Sequence, residues 1–570
     1  MNLIAFGCIV GLLCLLGAGY CYRKGKRSPR KDDSNRMRTF DELAEAVRSA
    51  VNEVLNTDLD GSGLTEIEIK KRKRQQAKLR LSTRQACFGD TGSSEYLKEY
   101  IKELLINKLG VNEATICRLI PFNESESMTV TELFEYMYMI YRRHYGIHVF
   151  GHMVKDHEFN AAKSDEEGRP VYSIDEADIR RAFSDCGLEP DYTDMLDTLT
   201  QRCYEKLYGH DVADLLIMDP DIDGVSGGVG GCTRIEYSYL EELMSPKTIA
   251  GKKVNSYDVI YCVFRGRLIR MKFLSFGREE TLERVVKNIY RYNSKTTLSK
   301  RNPVIHASMK NNSRIVVARP PVSDSWAFYV RKFASTDARK IESLITDRNA
   351  DRVIELLKSI VKAECNFVIS GNTGGGKTTL LKSLIGYINP SYTLRVIESS
   401  FELNINNLYP DRNVHVMQER GDFTIYDAIT ASKKMDTDVL ILGEVNEPKV
   451  AGAFIQVAQS GSRMAITTLH HETTQKLIEY LRNALVCEFG LTDVHVAQKQ
   501  VIDSVSFDVH MVHDVTGHHF IERITQIIPS QTDDRYELRD IVVFDTEKKM
   551  YRFVGEVSPL STVLLKEAAG

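Results

Sequence analysis

The chain has 570 residues, of which 43% are hydrophobic and 27% charged, an ordinary globular composition with room for roughly three or four folded units. Lys and Arg number 75 against 78 Asp and Glu, a net charge of -3, so the field of the whole chain gives no reason to expect direct contact with nucleic acid. The 11 cysteines are scattered without a C-x-x-C pair, which argues against a zinc site or a disulfide framework and fits a reducing compartment.

From Asn2 to Tyr22 there is no charged side chain, a run long enough to span a bilayer as one helix at ~1.5 Å per residue. Arg23, Lys24, Lys26, Arg27, Arg30 and Lys31 follow it. By the positive-inside tendency that flank stays in the cytoplasm, giving a single-pass anchor over 1–22 in the cytoplasmic membrane with the N-terminus outside and the rest of the chain inside. A cleaved signal peptide would carry its positive charge before the apolar run, not after it. Residues 23–83 read as a basic, helical juxtamembrane linker. FDELAEAVRSAVNEVLN has apolar residues at helical spacing. IEIKKRKRQQAKLR is a basic run, usually a solvated helix face and less commonly a seat for anionic lipid. Between them, Asp58, Asp60, Ser62 and Gly63 imitate the start of a calcium loop, but its last position falls on Ile69 with Glu68 one place early. The bidentate carboxylate is missing, and a polar turn is expected instead.

Residues 84–219 carry helical patterns such as SSEYLKEYIKELLINKLG and VTELFEYMYMIYRRHYG and read as a helical accessory domain. Its aromatics Phe134, Tyr136, Tyr138 and Tyr141 are expected in a core or against a partner. The glycine-rich DIDGVSGGVGG from Asp221 lacks the Lys and Ser/Thr of a phosphate loop and reads as a turn. Short alternating runs, SYDVIYCVFRGRLIRMKFLSF and NSRIVVARPPV, give a small α/β domain over 220–345.

The remainder, 346–570, holds the chemistry. In FVISGNTGGGKTTLLKSL, Gly371, Gly376, Lys377 and Thr378 satisfy G-x-x-x-x-G-K-[ST]. An apolar strand precedes the loop, and Leu380, Leu381, Leu384 and Ile385 form a helical stripe after it. This spacing predicts a cradle for the phosphates of ATP built from Gly371, Asn372, Thr373, Gly374, Gly375, Gly376, Lys377, Thr378 and Thr379 at the positive end of a helix. Lys377 would neutralise the β- and γ-phosphates and the Thr378 hydroxyl would face Mg²⁺. Hydrolysis also needs a carboxylate near the attacking water. DVLILGE is a buried-strand signal ending at Glu444, and LRVIESSFEL is a second strand with Glu398 and Glu402 at its end, where open α/β sheets bind their ligands. MAITTLHHETT makes a further strand ending at His470 and His471; a histidine there is commonly structural, and polar groups at such strand ends can also sense a γ-phosphate.

The order GNTGGGKTT, VIESSFEL, VLILGEV, ITTLHHET resembles the Walker A, Asp box, Walker B and His box of the type II/IV secretion ATPase superfamily. The likeness runs from about Tyr204 to the C-terminus and is greatest to the tight-adherence (Flp) pilus assembly ATPases, through NPVIHASMKNNSRIVVARPPVSDSWAFYVRKF upstream and VIDSVSFDVHMVHDVTGHHFIERITQI downstream. The resemblance implies a RecA-like P-loop core. It implies Glu444 as the residue that polarises water, Glu398 and Glu402 as carboxylates near Mg²⁺, with Thr378, Glu398 and Glu444 around the metal, and His470 as the His-box residue. Arg314 and Arg331 of the preceding domain would reach the phosphates on domain closure. It further implies a homo-hexamer working on inner-membrane platform proteins in pilus assembly or secretion, with conjugative transport or a nucleotide-gated membrane scaffold as alternatives. The chain departs from that branch at Asn446 after the Walker B glutamate, at Ser399 in the Asp box, at Ser460 to Ser462 before the His-box strand, and at Lys433 and Lys434 where arginines are usual.

Overall fold

A computed structural model describes residues 39–558 apart from 60–64, 165–166, 231–254, 293, 295, 333–339, 421, 460–461 and 515–517. The apolar span at 2–22, its basic flank, and Asp60, Ser62 and Gly63 of the calcium-like stretch lie outside the described residues. Among the described residues, no helix is long and apolar enough to cross a membrane. The chain divides into two compact units, Met1–Lys332 and Phe333–Gly570.

The first unit opens with helices. Helix α1 (Phe40–Asn56) starts at Thr39, whose hydroxyl accepts from the Glu42 amide while the Glu42 carboxylate reaches back to the Thr39 amide. Helix α2 (Glu66–Gln85) starts the same way through Thr65 and Glu68, so both starts satisfy amides that would otherwise lack a partner. Helix α3 (Thr91–Asn107), α4 (Val130–Tyr145) and α5 (Tyr192–Leu207) follow. In α4 every side chain from Leu133 to Tyr141 is buried, the mark of a helix enclosed all round; of the two places expected for the four aromatics, a core or a partner-facing surface, they occupy the core. Leu43, Val47 and Val51 of α1 and Leu79 of α2 join the same apolar core.

The unit closes on strands β1 (Ser173–Ile174), β2 (Ile222–Gly227), β3 (Ile260–Phe264), β4 (Arg267–Met271), β5 (Val304–Ser308), β6 (Arg314–Ala318) and β7 (Ala327–Arg331). They form one seven-stranded sheet in the order β1-β4-β3-β2-β7-β6-β5. The first part of the glycine-rich stretch expected as a turn is therefore β2, a central strand, and the chain turns only after it, at Gly228 and Gly230 with φ of 77° and 93°. Its glycines answer to packing: a Cβ on Gly227 would lie 2.4 Å from Phe328 Cε1, and one on Gly224 would lie 2.8 Å from the Val330 carbonyl oxygen.

The second unit has strands β8 (Phe367–Gly371), β9 (Leu394–Glu398), β10 (Val414–Gln418), β11 (Val439–Leu442), β12 (Met464–Leu469), β13 (Phe507–His513), β14 (His519–Pro529), β15 (Tyr536–Asp545) and β16 (Met550–Phe553). The sheet order is β10-β9-β11-β12-β8-β13-β14-β15-β16. Strands β10 to β13 are parallel and those beyond β13 antiparallel. Alternate residues serve two cores, as the pleat requires. Phe367, Ile369, Val439 and Ile441 face one cluster; Val368, Leu440 and Leu442 face the other. Helices α6 (Ala350–Lys362) and α7 (Lys377–Ile385) supply the first cluster, α8 (Pro448–Gln459) and α9 (Thr474–Phe489) the second. Both faces are covered, and the open ground is the carboxyl end of the parallel strands.

Candidate functional site

The loop between β8 and α7 is shaped by backbone that only glycine takes easily. Gly371, Gly374 and Gly376 have φ of 134°, 79° and 90°, and a Cβ on Gly371 would lie 1.9 Å from the Met511 carbonyl oxygen of β13. The loop thus turns tightly over the sheet and delivers its amides to the start of α7, the anion-favouring end of a helix. Asn372, Thr373 and Gly374 are exposed, Thr378 and Thr379 half-buried. Lys377 is only 6% exposed. Its Nζ donates to the carbonyl oxygens of Gly371 (2.9 Å) and Asn372 (2.8 Å) and lies 3.2 Å from His470 Nδ1.

That histidine joins the loop to the end of β11. His470, just past β12, places Nε2 2.7 Å from Glu444 Oε1, just past β11. A lysine ammonium has no acceptor, so His470 Nδ1 accepts from Lys377 and the Nε2–H donates to Glu444, the neutral tautomer that serves both neighbours. The His470 hydrogen bond, with a further one from Asn446, outweighs partial burial and holds the Glu444 carboxyl down to about 2. Glu444 is therefore a carboxylate across the physiological range.

Glu398 ends β9, beside β11, where the Gly443 amide donates to the Ile397 carbonyl at 2.8 Å. It is 3% exposed. Its Oε1 accepts from the amides of Glu402 (2.9 Å) and Leu403 (2.6 Å), while its buried Oε2 has no hydrogen-bond partner. Burial pushes this carboxyl up to about 7. Glu402, on the following loop, contributes its amide to Glu398, and its carboxylate with that of Glu398 favours the charge of Lys382 on α7, against a burial that pulls that ammonium's pKa down.

Among the described residues no cluster of three or more His, Cys, Asp and Glu side chains is arranged to hold a metal ion. The donor chemistry fits Mg²⁺ all the same, because that ion is usually held by one or two protein oxygens and the phosphates of its nucleotide. Thr378 at the start of α7 and the unpartnered Glu398 Oε2 are oxygen donors of that kind.

Lys377, His470, Glu444 and Glu398 thus share the carboxyl end of one sheet. Arg314 and Arg331 are in the other unit, directly opposite each other on β6 and β7 and both exposed. Like charges facing across a ladder are destabilising, so this pair is suited to meeting an anion. Sequence reasoning missed a buried network at β8. The Ser370 hydroxyl donates to Asp508 Oδ1 (2.5 Å) and accepts from His510 Nδ1 (2.8 Å), and Thr474 donates to Asp508 Oδ2 (2.7 Å). Burial raises the Asp508 carboxyl and pulls His510 down to about 4. The residues in the chain are more than 100 apart from Ser370, and no local pattern announces them.

The family described as "Type II/IV secretion system protein" matches residues 239–533, just over half of the chain. A type IV secretion system protein VirB11 of Bartonella quintana is 25% identical over 252 residues, which cover 38% of this chain and 69% of that protein. A type IV pilus assembly ATPase PilB of Acinetobacter baylyi is 26% identical over 136 residues, 24% of this chain and 23% of that protein. The crystal structure of the VirB11 ATPase from the Brucella suis type IV secretion system, in complex with sulphate, is 21% identical with a TM-score of 0.29, covering 54% of this chain and 90% of that one.

Proposed function

The chain belongs to the type II/IV secretion system protein family, and on that premise we propose that it is a Mg²⁺-dependent ATPase motor with a RecA-like core. It powers pilus assembly, nearest to the Flp kind, or protein secretion. The observation that carries this reading is the line from Lys377 through His470 to Glu444, which joins the phosphate loop to the water-orienting carboxylate by two hydrogen bonds of 3.2 and 2.7 Å. Incoming phosphates compete with the Gly371 and Asn372 carbonyls for the Lys377 ammonium, and a change at Lys377 is felt at Glu444 through the imidazole. Glu444 orients the attacking water, the loop amides and Lys377 hold the phosphates, and His470 keeps its proton on Nε2. Thr378 and Glu398 would hold Mg²⁺, whose chemistry there would be charge screening of the phosphates.

In this proposal the protein works as a homo-hexamer on inner-membrane platform proteins, with anchor 1–22, linker 23–83, helical domain 84–219, α/β domain 220–345 and ATPase domain 346–570. Purified full-length protein should release phosphate from Mg²⁺-ATP, and Lys377→Ala should lose nucleotide binding by about tenfold or more, the worth of one charge-assisted contact. Undiminished binding in that variant overturns the reading.

One observation favours a second reading, a nucleotide-gated scaffold with little hydrolysis. A carboxyl held to about 2 is a weak proton acceptor near neutral pH. Tight nucleotide binding without measurable phosphate release, with platform proteins present, would select it.

A further inference from the structure

We propose that the outward face of α2 is a seat for anionic lipid headgroups, which holds the first unit down on the membrane surface. From Ile69 to Gln85 the chain carries eight Lys and Arg and no Asp or Glu. The helix is buried only at Leu79 and Ser82. It is tied back to α1 by Gln76, which donates to the Val54 and Thr57 carbonyls, and by Arg80, which donates to that of Leu55. At 100° per residue, Ile67, Lys70, Lys73, Arg74, Leu81 and Arg84 share a face spanning roughly 120°, turned away from Leu79 and Ser82, with a single carboxylate, Glu66, on it at the helix start. Two of these are large aliphatic side chains left in the open, Ile67 at 81% and Leu81 at 52% exposed, about 20 Å apart along the helix.

Charge complementarity alone would suit any polyanion. The two aliphatic residues decide for lipid, since a bilayer interface takes up apolar side chains between its headgroups while basic neighbours meet phosphates. A phosphate backbone has no comparable use for them. Position agrees: α2 rests on α1, and α1 begins 18 residues after the end of the apolar run at Tyr22. The inference rests on the proposed membrane location for its partner, though not on the ATPase reading.

The test uses the full-length protein in nanodiscs of phosphatidylcholine alone, or of two parts phosphatidylcholine to one part phosphatidylglycerol, labelled with an amine-acylating reagent and read by mass spectrometry. Lys70 and Lys73 are expected to react several-fold more slowly in the anionic discs. About 0.5 M salt should abolish the protection, and the combined Arg74→Glu and Arg84→Glu variant, which keeps both lysines for labelling, should weaken it several-fold. Lys476, on an exposed part of α9, is the control and should react equally in both. Equal labelling of Lys70 and Lys73 in the two discs overturns the proposal. Protection by duplex DNA with none by anionic discs overturns it in favour of nucleic acid. Failure of the anchor is read separately, as a chain that does not co-elute with neutral discs; labelling on anionic vesicles of the same composition then still decides the question.

Discussion

The carboxyl ends of β9 and β11 lie side by side and each carries a glutamate, yet the two are driven in opposite directions. Glu444 is held down to about 2, first by the hydrogen bond from His470; Glu398 is pushed up to about 7, first by burial. The difference comes from what each carboxyl meets. Glu444 has an imidazole N–H and is partly open to water, while Glu398 has two backbone amides on one oxygen and nothing on the other. Neighbouring groups with separated pKa values usually have separate duties. Glu444 is fitted to act as a standing anion beside water, and Glu398 to become one only when a cation arrives.

The comparison breaks first at Glu444. Glu444→Gln keeps the shape and removes the charge, so phosphate release should fall by about 10²–10⁴-fold while nucleotide binding stays within a few-fold. Single-turnover phosphate release beside equilibrium nucleotide titration separates the two, and full turnover would transfer the water-orienting role elsewhere.

Glu398 gives a stability effect of opposite sign. With its folded pKa raised to about 7, the favourable contribution of its protonated form is complete below about pH 4 and is lost as pH rises through about 7. Above that, the buried charge costs about 3 kcal/mol at most. Glu398→Gln should therefore be more stable than the parent near pH 8 by about 1–3 kcal/mol, with the difference vanishing near pH 4. Denaturant unfolding at the two pH values checks this, and Mg²⁺-nucleotide should bind more weakly to the same variant.

His470 carries a smaller effect. Glu444 contributes stability above its unfolded value that is lost as pH falls through about 2. His470→Ala removes the main cause, so stability should fall less steeply between pH 5 and pH 3 than in the parent. The difference should be about 1 kcal/mol or less, because the carboxylate is partly exposed and its interactions are screened.

Much of this site was legible in sequence because its parts fall on short, self-announcing segments. The apolar runs of β8, β9, β11 and β12 each stop where chemistry begins, and glycine spacing marks the loop. What those runs do not encode is the partner across the sheet. His470 reads as an isolated strand-end histidine until β12 is seated between β8 and β11, which alone brings its two nitrogens to Lys377 and Glu444. Composition misled at Ile222–Gly227, where glycines that signal a turn locally are required by Phe328 and the Val330 backbone in a central strand. The helical region announced its core aromatics by periodicity and nothing of the sheet edge it supplies through Ser173 and Ile174.

Asp508 extends the comparison to a third buried carboxyl, and separates burial from function. Like Glu398 it is raised by burial, but both its oxygens accept, from Ser370 and from Thr474. With a hydroxyl on each oxygen neither is left bare, which suits a brace for β8 rather than a ligand. Asp508→Asn can keep both contacts, because a hydroxyl that donated to the carboxylate can turn and accept from the amide; it should shift stability by less than about 1 kcal/mol. Asp508→Ala strands two buried hydroxyls and should cost about 1–3 kcal/mol. Urea unfolding of the two variants measures the contrast, and an asparagine as damaging as the alanine would mean that the charge at Asp508, not its hydrogen bonds, matters to the strand that carries the phosphate loop.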